Sequence, residues 1–345
     1  MTLQQLVGAA LPIVQAPMAG VQGSALAVAV CNAGGLGSLP CAMLGVDAMR
    51  DELTLIKAQT HKPFNVNFFC HAPPAPDAER EAAWRDALAP YYREFGIDPG
   101  TIPTGPRRAP FSAAAADVLA EYKPAVVSFH FGLPSAELLA RVRAWGPKIF
   151  SSATTIDEAR WLEAHGVDAI IAQGLEAGGH RGIFLSEDLA TQVGTFALLP
   201  QIVEAVKLPV IAAGGIADAK GVAAAMALGA AGVQIGTAYL LCPEATTGAV
   251  HRSALQSEGA RHTALTNLFT GRPARGIVNR LMRELGPISA AVPAFPLATS
   301  AIAPLRAQAE ARGSGDFSPL WSGQNASGCK AIPAAQLTRE LAAAY

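Results

Sequence analysis

The chain has 345 residues, of which 51% are hydrophobic and 15% charged, so it can bury a large core and long disordered stretches are disfavoured. Its 26 basic and 27 acidic side chains leave a net charge of −1, which argues against nucleic acid or an anionic membrane surface as a partner. Five scattered cysteines without a CxxC pair are typical of reduced thiols in a cytoplasmic protein. We detect no signal-peptide pattern and no apolar run of the ~18 residues that a membrane helix needs.

Taken in chain order, short apolar runs alternate with helical patterns. The runs predict eight strands, at residues 13–16, 36–39, 64–69, 125–129, 148–152, 167–172, 209–213 and 232–235. Ser24, Thr155 and Asp218 are the predicted N-caps of three of the helices between them. Continuous apolar strands suit a sheet that is covered on both faces. Eight β-then-α units therefore favour a (β/α)8 TIM barrel over an open doubly wound sheet.

Two segments interrupt this alternation. Residues 71–112 are rich in proline around one charged helix, at about 77–95, and we predict an insertion over the mouth of the site. Residues 241–345 combine helical patterns with a turn-rich stretch, and we predict a mainly helical lid domain that packs on the barrel. The barrel domain then comprises residues 1–70 and 113–240.

One loop is the first candidate for chemistry. Residues 173–182 follow the sixth predicted strand and contain four glycines and His180. Glycine lets the backbone approach a ligand closely, and histidine titrates nearest neutral pH. In a barrel this loop lies at the active-site end, so it suits proton transfer beside a flat cofactor. The alternative is a tight turn whose histidine only hydrogen-bonds to the backbone.

The last two predicted strands each end in a glycine turn, at Gly214-Gly215 and at Gly236-Thr237. Barrels often hold a phosphate at these two positions, through backbone N–H groups and a helix N-terminus. The other strand ends carry amides, hydroxyls and methionine, without a set of side chains at metal-ligand spacing, so we predict no catalytic metal. A neutral cavity with a phosphate cradle and one histidine suits flavin mononucleotide (FMN).

Several of these segments together carry a family resemblance. The sequence resembles the nitronate monooxygenase family, formerly called 2-nitropropane dioxygenases, in a class I-like form. The resemblance covers nearly the whole chain and is carried by residues 15–20, 65–67, 128–132, 173–182, 213–216, 234–237 and 321–324.

The resemblance implies an FMN-bound barrel that oxidises alkyl nitronates with O2 to carbonyl compounds and nitrite, a detoxification, with propionate 3-nitronate as one candidate substrate. The family's catalytic histidine corresponds to His180, as the base for neutral nitroalkanes. Flavin contacts carry over to Pro17, Met18, Asn67, Gln173, Gly178, Gly179, Gly214, Gly215, Gln234, Ile235, Gly236 and Thr237. Some members close the site with C-terminal tyrosines, but residues 295–300 have none here. The sequence therefore does not identify the residues that form the substrate gate.

Three alternatives remain at this stage. The same fold and FMN site also resemble NADH-dependent reductases of quinones or enoyl-thioesters. A phosphate- or nucleotide-binding barrel without redox chemistry is possible, whereas a hydrolase that pairs His180 with Ser151 or Ser152 lacks a GxSxG motif. His130 fits either a loop-fixing or a catalytic role, and Arg272 and Arg275 either brace the lid or contact an anionic substrate. The sequence does not predict the oligomeric state, and the other five histidines are predicted to be surface or structural.

Overall fold

A computed structural model describes residues 1–75, 77–103 and 108–344. Within these residues, eight parallel strands form one sheet. They are β1 (Ile13–Gln15), β2 (Gly37–Pro40), β3 (Phe64–Phe69), β4 (Val126–His130), β5 (Lys148–Ala153), β6 (Ala169–Gln173), β8 (Val210–Ala213) and β9 (Gly232–Ile235). Between β6 and β8 in the chain lies β7 (Gly179–His180), which belongs to a second sheet with β10 (Thr263–Thr266) and β11 (Ala274–Ile277).

The large sheet curves into a nearly closed barrel. Its strands are adjacent in the order β1-β9-β8-β6-β5-β4-β3-β2. Leu36, just before β2, donates to the Ile13 oxygen at 2.8 Å and accepts from the Gln15 nitrogen at 2.9 Å, which joins the two sheet edges. The predicted (β/α)8 barrel is confirmed, and each predicted strand overlaps an observed one.

Helices cover the outside of the barrel and build an accessory layer. They are α1 (Leu3–Val7), α2 (Ser24–Asn32), α3 (Val46–Gln59), α4 (Ala78–Phe95), α5 (Ala113–Tyr122), α6 (Ala136–Arg143), α7 (Ile156–Ala164), α8 (Thr195–Ala205), α9 (Ala219–Ala227), α10 (Ala249–Gln256), α11 (Arg280–Leu285), α12 (Ala298–Ala311) and α13 (Ala334–Leu341). None of the helices in the described part of the chain has both the length and the apolar character that a membrane crossing requires.

Side-chain caps explain where several of these helices begin. Thr155 and Asp218 cap α7 and α9 as predicted, because each side chain accepts a backbone N–H of the first turn. The prediction for Ser24 was wrong. Gly23, with an extended backbone, is the N-cap of α2, and the Ser24 nitrogen donates to the carboxylate of Glu52 instead. A distant acid on α3 thus replaces the local cap.

The core has two layers because neighbouring strand residues point to opposite faces of the sheet. In β6, Ile170 packs outward against the helices, whereas Ile171 packs inside the barrel with Phe150 and Ile211. Leu3 and Leu6 of α1 belong to the same interior cluster, and the Leu3 nitrogen donates to the Ala231 oxygen just before β9. The short first helix therefore closes the N-terminal end of the barrel and leaves the opposite end for the site.

The last helix, α13, completes the barrel wall. In a (β/α)8 barrel a helix follows each strand, but β9 is followed by a 3₁₀ turn (Thr237–Leu241). α13 packs against α2 and α9, and its Leu337 and Leu341 belong to the outer barrel core. We had predicted this helix to belong to the lid domain.

The insertion and the C-terminal region share one accessory layer. α4 packs against α12 through a second apolar cluster that includes Trp84, Leu88 and Leu305. The Tyr92 hydroxyl donates to the Ala301 oxygen at 2.7 Å. Residues 76 and 104–107 of the predicted insertion, and residue 345 of the predicted lid, lie outside the described residues.

The second sheet was not predicted. Its strands are antiparallel in the order β10-β11-β7, and β11 pairs Ala274 with His180. Strands of two to four residues give almost no alternating pattern, and we had interpreted residues 268–276 as turns. This pairing fixes the backbone of the His180 loop to the accessory layer.

Candidate active site

One cavity at the carboxyl ends of the barrel strands brings the predicted site residues together. It encloses about 250 Å³. His180 and all twelve predicted flavin contacts line it, from Pro17 and Met18 after β1 to Gly236 and Thr237 after β9. Other lining residues were not predicted as site residues, although Glu176 and Trp321 lie in segments that the sequence had singled out. They come from the end of β3, the His180 loop, the insertion and the accessory layer: Phe69, Arg108, Glu176, His251, Arg306, Trp321 and Asn325.

We call the backbone of Gly214, Gly215, Gly236 and Thr237 the glycine corner of the cavity. Gly214 and Gly215 have φ values of +119° and +74°, which side chains rarely adopt. No described residue accepts a hydrogen bond from the Gly215, Gly236 or Thr237 backbone nitrogen. The corner therefore presents free N–H donors to the cavity, as an anion site requires.

A loop from the accessory layer closes this corner. The Gly323 nitrogen donates to the Thr237 hydroxyl at 2.9 Å, and the Asn325 amide donates to the Gly215 oxygen at 3.0 Å. Gly178 lies so close to this loop that a Cβ there would stand 2.5 Å from the Gly323 nitrogen. The close approach explains why position 178 requires glycine.

Two amide side chains offer acceptors to a ligand. The Gln234 side-chain oxygen is buried and has no partner among the described residues, which is costly unless a ligand or water supplies a donor. The Asn67 amide nitrogen donates to the Ser128 hydroxyl at 2.9 Å, which fixes the side chain in the cavity wall. Both side chains can therefore read the polar edge of a ring.

Gln173 is used differently. Its amide nitrogen donates to the His180 oxygen at 3.0 Å, and its carbonyl accepts from the Gly182 nitrogen at 2.8 Å. Both ends of this side chain therefore bind the backbone at the far end of the His180 loop, at residues 180 and 182. Gln173 also lines the cavity.

Three arginines hold the backbone of the same loop, one from within it and two from the segment at β11. Arg181 is fully buried and donates to the backbone oxygens of Gln173 and Gly174 at 2.7 and 2.6 Å, and burial lowers its pKa to about 10. Arg272 donates to the Ile183 oxygen and lies over the Phe131 ring at 4.0 Å. Arg275 donates to the Leu175 oxygen at 2.9 Å. Arg272 and Arg275 thus brace the loop. No sequence pattern had indicated the role of Arg181.

His180 stands in an aromatic shell. Its ring centre lies 5.3 Å from that of Phe295 and 5.6 Å from that of Trp321, and its Nε2 is 2.9 Å from the Thr270 hydroxyl. Burial, with the nearby positive charge of Arg108, holds the pKa of His180 well below its usual value. The imidazole is therefore neutral at pH 7 and can accept a proton. Phe295 belongs to the segment 295–300, which has no tyrosine, and it places an aromatic ring beside His180.

His130 fixes the backbone at His180. Its Nε2 is 3.2 Å from the His180 oxygen, and because a carbonyl only accepts, Nε2 must be the donor. Burial lowers the pKa of His130 to about 4, so Nδ1 is unprotonated and accepts from the Ser152 hydroxyl at 3.0 Å. Both ring nitrogens are occupied, which favours the loop-fixing role over the catalytic one.

Positive charge collects at one end of the cavity. Arg108 and Arg306 both line it. Arg306 pairs with Glu310 at 2.8 Å, whereas Arg108 has no carboxylate partner within the described residues. Nearby, His71 is buried with its ring centre 4.8 Å from that of Phe295, and His251 lines the cavity, so these two histidines are not on the surface. This end of the cavity therefore attracts anions.

The described ranges contain no group of three His, Cys, Asp or Glu side chains that could hold a metal ion. The cavity instead combines free backbone donors, a neutral histidine and an unpaired guanidinium at the active-site end of a parallel barrel. This combination defines a barrel enzyme that binds an anionic group at its last two strands.

Comparison with known proteins makes the assignment more specific. The family model described as nitronate monooxygenase matches residues 1–344. A protein named nitronate monooxygenase from Paraburkholderia phytofirmans is 45% identical over 345 residues, which cover 98% of this chain and 93% of that protein. One of the same name from Pseudomonas aeruginosa is 43% identical over 342 residues, with 98% and 97% covered. The chain belongs to the nitronate monooxygenase family and is therefore an oxidoreductase enzyme.

Solved structures agree with this family. A nitroalkane oxidase from Streptomyces ansochromogenes superposes with a TM-score of 0.88 at 40% identity, over 99% of this chain and 96% of that one. FabK from Thermotoga maritima superposes less well, with a TM-score of 0.70 at 27% identity, over 98% and 94% of the two chains. The barrel and the accessory layer are thus shared with both.

Proposed function

We propose that this chain is an FMN-dependent nitronate monooxygenase that oxidises alkyl nitronates with O2 to carbonyl compounds and nitrite, and so detoxifies them. The observation that carries the proposal is the single cavity that joins the glycine corner, the unpartnered Gln234 oxygen and the neutral His180. The family supplies the reaction class. We also propose a cytoplasmic location, because the five cysteines are free thiols.

The residues present fit FMN. The free N–H groups of Gly215, Gly236 and Thr237 would hold the phosphate, and the Gln234 and Asn67 side chains would bind the ring edge. Met18 packs beside Gly236 and would contact the ring face. Bound FMN would supply the electron acceptor for substrate oxidation, with O2 as the second substrate.

The protein's own contribution begins with charge and shape. The unpaired guanidinium of Arg108 attracts the nitronate anion into the cavity. The rings of Phe69, Phe295 and Trp321 around His180 keep water away from the reacting carbon. A neutral nitroalkane must lose its α-proton first, and neutral His180 is placed to accept it.

Propionate 3-nitronate is a substrate that this charge pattern favours. It carries a carboxylate besides the nitronate, and Arg108 has no carboxylate partner in the part of the chain that the structure describes. A guanidinium binds a carboxylate through two parallel hydrogen bonds. We therefore propose Arg108 as the residue that selects this substrate over uncharged nitronates.

The experiment is oxygen uptake by the purified, FMN-loaded protein with a small alkyl nitronate and no pyridine nucleotide. Uptake with stoichiometric nitrite supports the proposal. A yellow protein that consumes no O2 with nitronate contradicts it.

The sequence resemblance supports one second candidate function, an NADH-dependent FMN reductase of quinones or enoyl-thioesters, and the fold is also similar to that of FabK. Rapid anaerobic bleaching of the flavin by NADH would favour that function. A flavin that NADH does not reduce, in a protein that oxidises nitronate, would exclude it.

A further inference from the structure

Thr270 contacts Nε2 of His180. Whether Nε2 carries the hydrogen determines which of the two ring nitrogens can accept a proton. Thr270 lies in the turn between β10 and β11 and is 2% exposed. Its hydroxyl oxygen is 2.9 Å from His180 Nε2 and 3.4 Å from the Arg272 backbone oxygen. The hydroxyl is therefore shared between an imidazole nitrogen and a carbonyl.

The Arg272 carbonyl, although it is the longer contact, favours one direction for these two bonds. A hydroxyl has one proton and two lone pairs, and a carbonyl oxygen can only accept. When the Thr270 hydroxyl donates to Arg272, it accepts from His180, so Nε2 must carry the hydrogen. A neutral imidazole has one N–H, which leaves the lone pair on Nδ1. Nδ1 has no hydrogen-bond partner among the described residues, and His180 lines the cavity.

We propose that Thr270 is a positioning residue that holds His180 in the Nε2–H tautomer, so that Nδ1 is the atom that takes the α-proton of a neutral nitroalkane. This inference rests on the proposed function for its substrate. In the step, the α-carbon–hydrogen bond breaks, its electron pair stays on the substrate as the nitronate, and the proton forms a bond with Nδ1. The resulting imidazolium keeps its Nε2–H bond to Thr270, and no oxidant is consumed.

The opposite direction of the Thr270–His180 hydrogen bond would place the hydrogen on the other ring nitrogen. If Thr270 donated to Nε2, the Arg272 oxygen would lose this donor and Nδ1 would carry the hydrogen. His180 could then donate to a nitro oxygen but could not act as a base. The two arrangements differ in the position of one hydrogen, which can be measured without any turnover.

The first experiment determines the tautomer by NMR of the FMN-bound, full-length protein labelled with ¹⁵N-histidine. Two-bond correlations between the ring protons and nitrogens distinguish the two tautomers, and the signal that is lost in His180→Asn identifies the residue. We expect the Nε2–H form for His180. The Nδ1–H form would overturn the proposal, whatever the activity of the enzyme.

The second experiment uses a matched pair of variants. Thr270→Val keeps the shape of the side chain without its hydroxyl, and Thr270→Ser keeps the hydroxyl. We expect the ratio of kcat for a neutral nitroalkane to kcat for its preformed nitronate to fall about tenfold or more in Thr270→Val, within the usual range of base catalysis, and to be restored in Thr270→Ser. An equal loss with both substrates would mean a purely structural role and would overturn the proposal.

The two experiments separate this inference from the proposed function. If the wild-type enzyme oxidises neither substrate, the proposed function fails, but the NMR measurement still decides the tautomer. If the wild-type enzyme oxidises nitronates and His180 is in the Nδ1–H form, the function stands and the role of Thr270 is refuted.

Discussion

Replacing Gly178 by alanine should weaken FMN binding without unfolding the barrel. The added Cβ would lie 2.5 Å from the Gly323 nitrogen and 2.6 Å from the Ser322 carbonyl carbon, about 0.9 Å inside ordinary van der Waals contact. Both neighbours are backbone atoms, so no side chain can rotate away. The loop that closes the glycine corner must move, and its hydrogen bonds to Thr237 and Gly215 must lengthen.

The magnitude follows from the cost of overpacking. Forcing one extra carbon into a well-packed contact costs about 1–3 kcal/mol. If the loop moves to relieve the contact, this cost appears as weaker cofactor binding, and about 1.4 kcal/mol is tenfold in a dissociation constant. We therefore expect the FMN dissociation constant of Gly178→Ala to rise about five- to 150-fold.

The assay is a fluorescence titration of the apoprotein with FMN, with Gly248→Ala as the matched control. A Cβ at Gly248 would meet no atom within 4 Å, and its φ of −65° suits alanine. The control should bind FMN like the wild type. Equal affinity of Gly178→Ala and the control would refute the role of the glycine corner in binding the phosphate.

Three further predictions use the charged and titratable groups of the cavity. His180→Asn should retain FMN but lose about 10²-fold or more of its turnover of neutral nitroalkanes in an oxygen electrode, and wild-type rates would remove His180 from proton transfer. Arg108→Leu should raise KM for propionate 3-nitronate about tenfold or more, because a charge-assisted hydrogen bond is worth roughly 1.5–3 kcal/mol, and an equal change with an uncharged nitronate would contradict carboxylate recognition. Burial lowers the pKa of His130 and His251 from 6.5 to about 4, so the unfolded chain binds more protons between these pH values and the free energy of unfolding should fall as the pH drops through this range. Urea denaturation at pH 7 and pH 5 measures this fall, and an undiminished pH dependence in His130→Gln would rule out His130 as a source.

The barrel and the backbone of the site could be predicted because their signals are local. An apolar run of five residues followed by a glycine pair, as at residues 209–215, marks both a buried strand and the turn at its active-site end. Since all parallel strands end on one face, finding the strand ends also found the cavity. For this reason the predicted site residues, from Pro17 to Thr237, all line the same cavity.

The residues that hold the His180 loop could not be predicted in the same way. Arg181 is charged, and charged residues usually mark the surface, but its buried guanidinium binds loop carbonyls that no sequence pattern identifies. The pairing of β7 with β11 joins residues almost a hundred positions apart through two-residue and four-residue strands. Such contacts depend on the tertiary structure alone. The same holds for the N-cap of α2, which is Gly23 and not the predicted Ser24.

The position of α13 limits how this protein can be divided or recombined. The barrel strands end at Ile235, but the helix that covers the outer face between α2 and α9 begins only at Ala334. A chain cut after the last strand would present the apolar surface of that seam to water and would lose the wall that α13 supplies. We therefore expect that residues 241–345 cannot be removed as one module, because this stretch includes α13 of the barrel wall. We expect a chimera that takes residues 241–345 from a relative to need the matching residues of α2 and α9 as well, because α13 packs against both helices.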